Sequence, residues 1–174
     1  VVTKPLVGVA GQGPGDAAVL EPIAGSGKGI ALASGLQTPF GDTAHGGDPY
    51  HMALAAIDEC MRNLVCVGAN PNRTAILDNF CWPSCNEPHN MAALVRACEG
   101  CYDGAKAYRT PFVSGKDSLN NQLRFDDPET GERRVIEIPH TLLITGLAQV
   151  PSINRCVTMD AKTPGNLLVL VGAT

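Results

Sequence analysis

DPYHMALAAIDECMRNLVCVG, residues 48–68, reads as one helix with both ends marked. Asp48 is a suitable N-cap, Pro49 fits the first helical position, and Gly68 stops the run. Between them Met52, Ala55, Ala56, Glu59, Cys60, Asn63, Leu64 and Val67 recur at steps of three and four, so they share one face that must turn to a core. Two of these residues are polar. Glu59 and Asn63 stack four apart among Ala, Cys and Leu, where an unpaired carboxylate is costly. A hard cation would compensate the charge, because Mg2+ prefers carboxylate, carbonyl and water oxygens and is commonly shared with phosphates. An ion pair from Glu59 to Arg62 or Arg96 would compensate it as well.

A second helix is expected from Glu87 to Tyr108, with Met91, Leu94, Val95, Cys98, Cys101, Tyr102 and Ala105 on one side. Gly100 and Gly104 each weaken it by up to about 1 kcal/mol relative to Ala. Short apolar runs bounded by Gly, Pro or Asn predict strands at 28–34, 74–78, 111–114, 141–150 and 167–171. Residues 124–127 and 133–138 flank Pro128-Glu-Thr-Gly-Glu132, a composition that suits a tight reversal, and predict a solvent-facing hairpin. Helices interspersed with five or six strands make the chain α/β or α+β. The run at 167–171 enters a strand with nothing after it to cover it, so the chain is expected to be cut from something longer.

The 174 residues suffice for one domain with a real core. Thirteen Lys+Arg against seventeen Asp+Glu leave a net charge of -4, with no basic cluster longer than Arg133-Arg134. That excludes the electrostatic footprint of a nucleic-acid binder. No window approaches the length of a membrane span and no export signal is visible. Seven cysteines are an odd count, and several fall within helical patterns, which fits free thiols in a reducing cytoplasm.

Other polar residues could carry chemistry. Asp16 enters a strand after Gly13-Pro-Gly15, and Asp78 closes the run from Thr74; both positions suit metal ligands at the mouth of a sheet, and both suit turn caps. Ser114-Gly-Lys-Asp-Ser118 offers backbone N–H groups, the Lys116 charge and the Ser118 hydroxyl as a cradle for phosphate oxygens. It is not a Walker A loop, since Thr110 and Asp117 stand where that motif needs Gly and Ser or Thr. Gly25-Ser-Gly-Lys-Gly29 reads as a simple turn. Cys81, Cys85, Cys98 and Cys101 come near a four-thiolate zinc spacing, although the second pair lies within a helix. His45, His51, His89 and His140 have no neighbouring activated Ser or Cys, and no catalytic triad is assigned.

Gly-Asp-Ala-Ala-Val-Leu (15–20), Asp-Pro-Tyr (48–50), Glu-x-x-x-Asn-Leu (59–64), Gly-Ala-x-Pro (68–71), Leu-Asp-Asn-Phe (77–80) and Gly-Lys-Asp-Ser-Leu (115–119) follow one another in order along residues 15–119. This series resembles the phosphoribosylformylglycinamidine synthase family, at the first domain of its second half, whose fold is shared with aminoimidazole ribonucleotide synthetase. The resemblance implies a ligase of purine biosynthesis. An amide oxygen of formylglycinamide ribonucleotide is phosphorylated by ATP and displaced by ammonia drawn from glutamine, with Mg2+ offsetting the phosphate charge.

The resemblance also implies roles by position. Asp16, Glu59 and Asn63 correspond to metal-binding residues of a nucleotide site, with Gly15 beside the nucleotide. Asp78, Gly115 and Lys116 correspond to ATP contacts, and Ser118 to a contact with the substrate phosphate. Lys116 stands where some members carry a metal-binding Asn. The family's catalytic histidine belongs to the other half, so no catalytic residue is expected here and the chain alone should not turn over. Mg2+ and ATP or ADP are the implied cofactors. The remaining domains of the synthetase, a glutaminase subunit or domain, and formylglycinamide ribonucleotide are the implied partners, in the cytoplasm.

The implied fold is α+β, a four-stranded mixed sheet with helices on one face, which pairs with a sister domain, or with a dimer mate in the isolated chain, to close a barrel. Residues 1–162 would form this ATP-binding domain and 163–174 a linker with the first strand of the next. Two alternatives stand beside this reading. One is another ATP-dependent enzyme of the same fold, such as aminoimidazole ribonucleotide synthetase, selenophosphate synthetase or thiamine monophosphate kinase. The other is a non-catalytic module stabilised by a nucleotide or by zinc.

Overall fold

The computed structural model describes residues 1–172. Two short strands, β1 (Leu6–Val7) and β2 (Gly13–Pro14), pair with each other, and β3 (Ala18–Leu20) and β4 (Gly29–Leu36) follow. Next come α1 (Pro49–Cys66), β5 (Thr74–Cys81), α2 (Pro88–Tyr108) and β6 (Phe112–Ser118). The hairpin β7 (Gln122–Asp126) and β8 (Arg133–Glu137) precedes the long strand β9 (Thr141–Val150).

The main sheet runs β3-β4-β9-β5-β6. Its pairs are antiparallel except β5 with β6, which are parallel and joined by α2 as the crossover such a pair requires. The mixed sheet with helices on one face is therefore present. It has five strands where four were expected, because the three residues of β3 add to the edge of β4.

α1 starts and stops where its sequence signals lie. The Asp48 carboxylate accepts the Tyr50 N–H at 2.9 Å, and Met52, Ala56, Ile57, Cys60 and Leu64 are buried. The helix lies directly on the sheet over Gly35 of β4 and Gly146 of β9. A Cβ at Gly35 would sit on the Ala56 carbonyl oxygen and 2.8 Å from Cys60 N, and one at Gly146 would lie 2.7 Å from Cys60 Sγ.

α2 corrects an expectation. Its buried residues are Asn90, Ala93, Ala97, Gly100, Cys101 and Gly104, whereas Met91, Val95 and Tyr102, read as part of the core side, are exposed. The cause is close packing on α1. A Cβ at Gly100 would meet the Tyr50 carbonyl and the Ala53 methyl, and one at Gly104 would lie 2.7 Å from Ile57 Cδ1. The glycines that weaken the isolated helix let the two helices touch, and the larger apolar side chains are turned outward.

Two further expectations fail. The run at 167–171 forms no strand, and each of its residues is exposed, because its backbone has no neighbouring ladder among the described residues. The strand expected over 111–114 is too short, because β6 continues through Ser118 in register with β5. The face of the sheet away from the helices presents Leu20, Leu32, Leu36 and Leu147 to solvent. No helix among the described residues is long and apolar enough to cross a membrane.

A methyl group at Gly35 cannot be accommodated without lifting α1 from the sheet. Gly35→Ala is expected to destabilise the chain by about 3 kcal/mol, read as a lowered denaturant midpoint at unchanged slope.

Candidate functional site

The polar pair on α1 meets an open stretch of strand edge. β3 pairs with β4 only from Ile30 to Leu32, so Ser34 and Leu36 have no strand partner on that side. Asn63 Nδ2 donates to the Ser34 carbonyl at 3.0 Å, and Glu59 Oε2 accepts the Leu36 N–H at 2.6 Å. The match is geometric: four residues of helix rise about 6 Å and two residues of strand advance about 6.8 Å, so an i, i+4 pair can serve alternate residues of one strand.

Neither Arg62 nor Arg96 compensates Glu59. Arg62 is bound to Asp58 at 2.6 Å, and Arg96 bridges Asp48 and Glu99. With these bonds made, Glu59 Oε1 and Asn63 Oδ1 are left as oxygens that can face a ligand. Asp16 lies two residues before Ala18, the partner of Leu32, and the same register continued brings it level with Ser34. Gly15 beside it is crowded by the chain start: its N–H donates to Pro5 O at 2.7 Å, and a Cβ there would lie 3.1 Å from Lys4 O. Glu59 and Asn63 open into a cleft of about 410 Å³ between α1 and the Gln37–Phe40 turn.

Asp78 and Gly115 are register partners at the other side of the sheet. A Cβ on Gly115 would collide with the Asp78 carboxyl, 2.9 Å from its Cγ, so glycine is what allows that carboxyl to lie across β6. Burial pushes the Asp78 pKa above the ordinary carboxylate value, and the Lys116 backbone N–H pulls the other way. Lys116 and Ser118 alternate with Gly115 along the strand and project from the opposite face, where Lys116 Nζ donates to Ser118 Oγ. β4 and β6 stand three strands apart, about 14 Å. The sequence-predicted residues therefore form two groups, one at the β4 edge and one at β6.

Residues 14–130 match the AIR synthase related protein, N-terminal domain. The chain belongs to this family. It is 34% identical over 160 residues to the phosphoribosylformylglycinamidine synthase subunit PurL of Deinococcus radiodurans, which covers 92% of this chain and 20% of that protein. It is 36% identical over 125 residues to the subunit PurL of a Synechococcus species, covering 72% of this chain and 15% of the relative. The chain thus spans a fifth or less of these curated relatives. Among solved structures, PurLQS from Thermotoga maritima superposes with a TM-score of 0.64 at 23% identity, over 82% of this chain and 21% of that one. T. maritima PurL complexed with ADP gives 0.61 at 20% identity, over 80% of this chain and 20% of that one. At these identities the two structures establish the shared fold.

Within this AIR synthase related domain the four-thiolate arrangement does not form. Cys81 Sγ donates to Asn79 Oδ1 at 3.7 Å, Cys85 Sγ to Pro83 O at 3.9 Å, and Cys101 is buried on α2. Among the described residues no group of three or more His, Cys, Asp or Glu is placed to hold a metal. The set at the β4 edge has only two carboxylates, so any cation there depends on the Asn63 amide and on oxygens from its ligand.

Sequence reasoning missed the surroundings of the single tryptophan. Trp82 is fully buried, its Nε1 donates to the Asn90 carbonyl at 2.9 Å, and its ring stacks on His140 with centroids 4.6 Å apart. Asn90 Nδ2 donates to Ser84 O, which leaves its Oδ1 to accept from His140 Nε2 at 2.8 Å. An apolar run before a proline turn was the available signal for Trp82; nothing local marks His140, 58 residues later, as its partner.

Two outcomes follow from these contacts. Glu59→Ala leaves the Leu36 N–H without its acceptor and is expected to lower stability by about 1 kcal/mol, whereas Glu59→Gln keeps an acceptor oxygen and should melt close to the unsubstituted chain. Burial, with His89 adding to it, holds the His140 pKa below its ordinary 6.5. Below pH 6.5 the unfolded state takes up a proton that the folded state resists. The His140 contribution is therefore complete above that pH and is lost as pH falls toward the lower folded value. Urea midpoints across pH 7.5 to about 5 should show this slope, and it should vanish in His140→Gln.

Proposed function

We propose that this chain is the nucleotide-binding first domain of the second half of a phosphoribosylformylglycinamidine synthase. That enzyme is an ATP-dependent ligase, which converts formylglycinamide ribonucleotide to the amidine with ammonia from glutamine. The observation that carries the reading is the convergence of Glu59 and Asn63 on Leu36 and Ser34, with Asp16 two residues before Ala18, the partner of Leu32 on the neighbouring strand. The Glu59 and Asn63 side chains border one cleft, and carboxylate and amide oxygens of this kind suit Mg2+.

In this reading Asp16, Glu59 and Asn63 hold Mg2+, and Gly15 lets backbone approach the nucleotide. The cation supplies charge neutralisation for the phosphates. Leu36 N–H and Ser34 O, by engaging one end of each side chain, fix the direction of the other. At β6, Asp78 and Gly115 contact the ATP of the reaction, Lys116 contributes one positive charge directly, and Ser118 offers its hydroxyl to the substrate phosphate. The Lys116 to Ser118 hydrogen bond supports a shared role on one face of the strand. Residues 1–162 form the domain, and 163–174 lead to the next one. The exposed leucines of the open face fit contact with a sister domain, or with a second copy in the isolated chain. A glutaminase supplies the ammonia, and the whole acts in the cytoplasm.

Calorimetric titration tests the proposal. The chain alone should bind Mg-ADP weakly and ADP without Mg2+ far less, and it should show no turnover. Glu59→Gln should cost at least about tenfold in Mg-ADP affinity while the melting temperature holds. Equal binding with and without Mg2+, or a submicromolar affinity in the isolated chain, would count against the assignment. In the complete protein, ADP release should require formylglycinamide ribonucleotide together with glutamine or ammonia.

A further inference from the structure

From Asn63 the cleft extends along α1 to Ala55 and ends at the Gln37–Phe40 turn. Phe40 stands at that end with 53% of its surface exposed, unusual for a large aromatic side chain. Its backbone is held at both polar groups: the N–H donates to Gln37 O at 3.1 Å, and the carbonyl accepts from Asp48 N–H, itself the α1 cap, at 2.8 Å. The next residue, Gly41, is buried under Met52. A ring fixed from behind and open in front is a preorganised face for a flat ligand.

The rest of the cleft limits what that ligand can be. From Ala55 to Asn63 the helix rises about 12 Å, comparable to a nucleoside diphosphate laid out from base to terminal phosphate. The charged side chains in it are Asp58, Glu59 and Arg62, one net negative charge, with Arg62 tied to Asp58 at 2.6 Å. A bare polyphosphate is repelled by such a lining, while a cation-bound one is accepted. Gln37 borders the same end and offers an amide donor and acceptor to a base edge.

We propose that Phe40 is the platform on which the base of the Mg-nucleotide stacks, with the phosphates directed toward Glu59 and Asn63. This rests on the metal-nucleotide reading of that pair, and it adds the residue that distinguishes a nucleotide from a simple polyphosphate.

The test compares Mg-ADP with Mg-pyrophosphate, which lacks the base, by titration calorimetry on the 174-residue chain. Phe40→Ala should weaken Mg-ADP about tenfold and leave Mg-pyrophosphate unchanged. Phe40→Tyr should bind as the unsubstituted chain does. Phe40→Leu, which keeps apolar bulk without an aromatic face, should behave like Phe40→Ala; circular dichroism confirms that each variant is folded. Unchanged Mg-ADP affinity in Phe40→Ala, or an equal loss for both probes, overturns the stacking role and leaves the metal site standing. Failure of the unsubstituted chain to bind either probe removes the metal-nucleotide reading and this inference with it.

Discussion

The seating of α1 on β4 is the contact on which the rest of the molecule depends. Gly35 and Gly146 remove the side chains that would hold the helix away, so its backbone reaches the strand and Cys60 and Leu64 fill the space over β9. At that separation Glu59 and Asn63 reach the bare edge of β4 and complete the hydrogen bonding that the short strand β3 leaves unfinished. One close approach thereby sets the core, satisfies an exposed sheet edge and aims two oxygens into a cleft. Each consequence fails if the helix is raised by the thickness of a methyl group.

The same economy of side-chain size recurs between the helices. Gly100 and Gly104 bring α2 onto α1 near Tyr50 and Ile57. The position of α2 in turn brings Asn90 under Trp82, where a small buried polar network closes through His140. Polar groups in the interior are acceptable because each has a partner: no buried side-chain nitrogen or oxygen among the described residues lacks one. Flat apolar surface is left on the other side of the sheet, at Leu20, Leu32, Leu36 and Leu147, and on the outer side of α2. Exposed apolar surface of this kind is the usual ground for contact with another domain or chain.

The two groups of polar residues divide along the sheet. Glu59 and Asn63 act at the β4 edge, whereas Asp78 and Gly115 meet between β5 and β6, about 14 Å away. Lys116 and Ser118 then leave β6 on the side opposite Asp78, because successive residues of a strand point to opposite faces. A single pocket cannot hold all eight residues that the motifs point to, and the proposed function accordingly places three ligands on one domain: a Mg-nucleotide at the β4 edge, the ATP of the reaction beside Asp78 and Gly115, and the substrate phosphate at Ser118.

The sequence by itself determined both helices, with the Asp48 cap and the Gly68 stop of the first, the β7–β8 hairpin, strands at 28–34, 74–78 and 141–150 within the observed β4, β5 and β9 to a few residues, and the family. Those features rest on local periodicity and turn chemistry, or on short motifs in a given order, and all of these survive in one dimension. It misjudged the outer side of α2 and the strand character of Gly115 to Ser118, and it predicted a strand at 167–171 that has no ladder to join. Tertiary structure alone decided these, since which stripe of a helix is buried depends on how near its neighbour lies, and a strand exists only where another offers hydrogen bonds. The partner of Glu59 was out of reach for the same reason: it is a backbone N–H, which every residue carries and no sequence pattern marks.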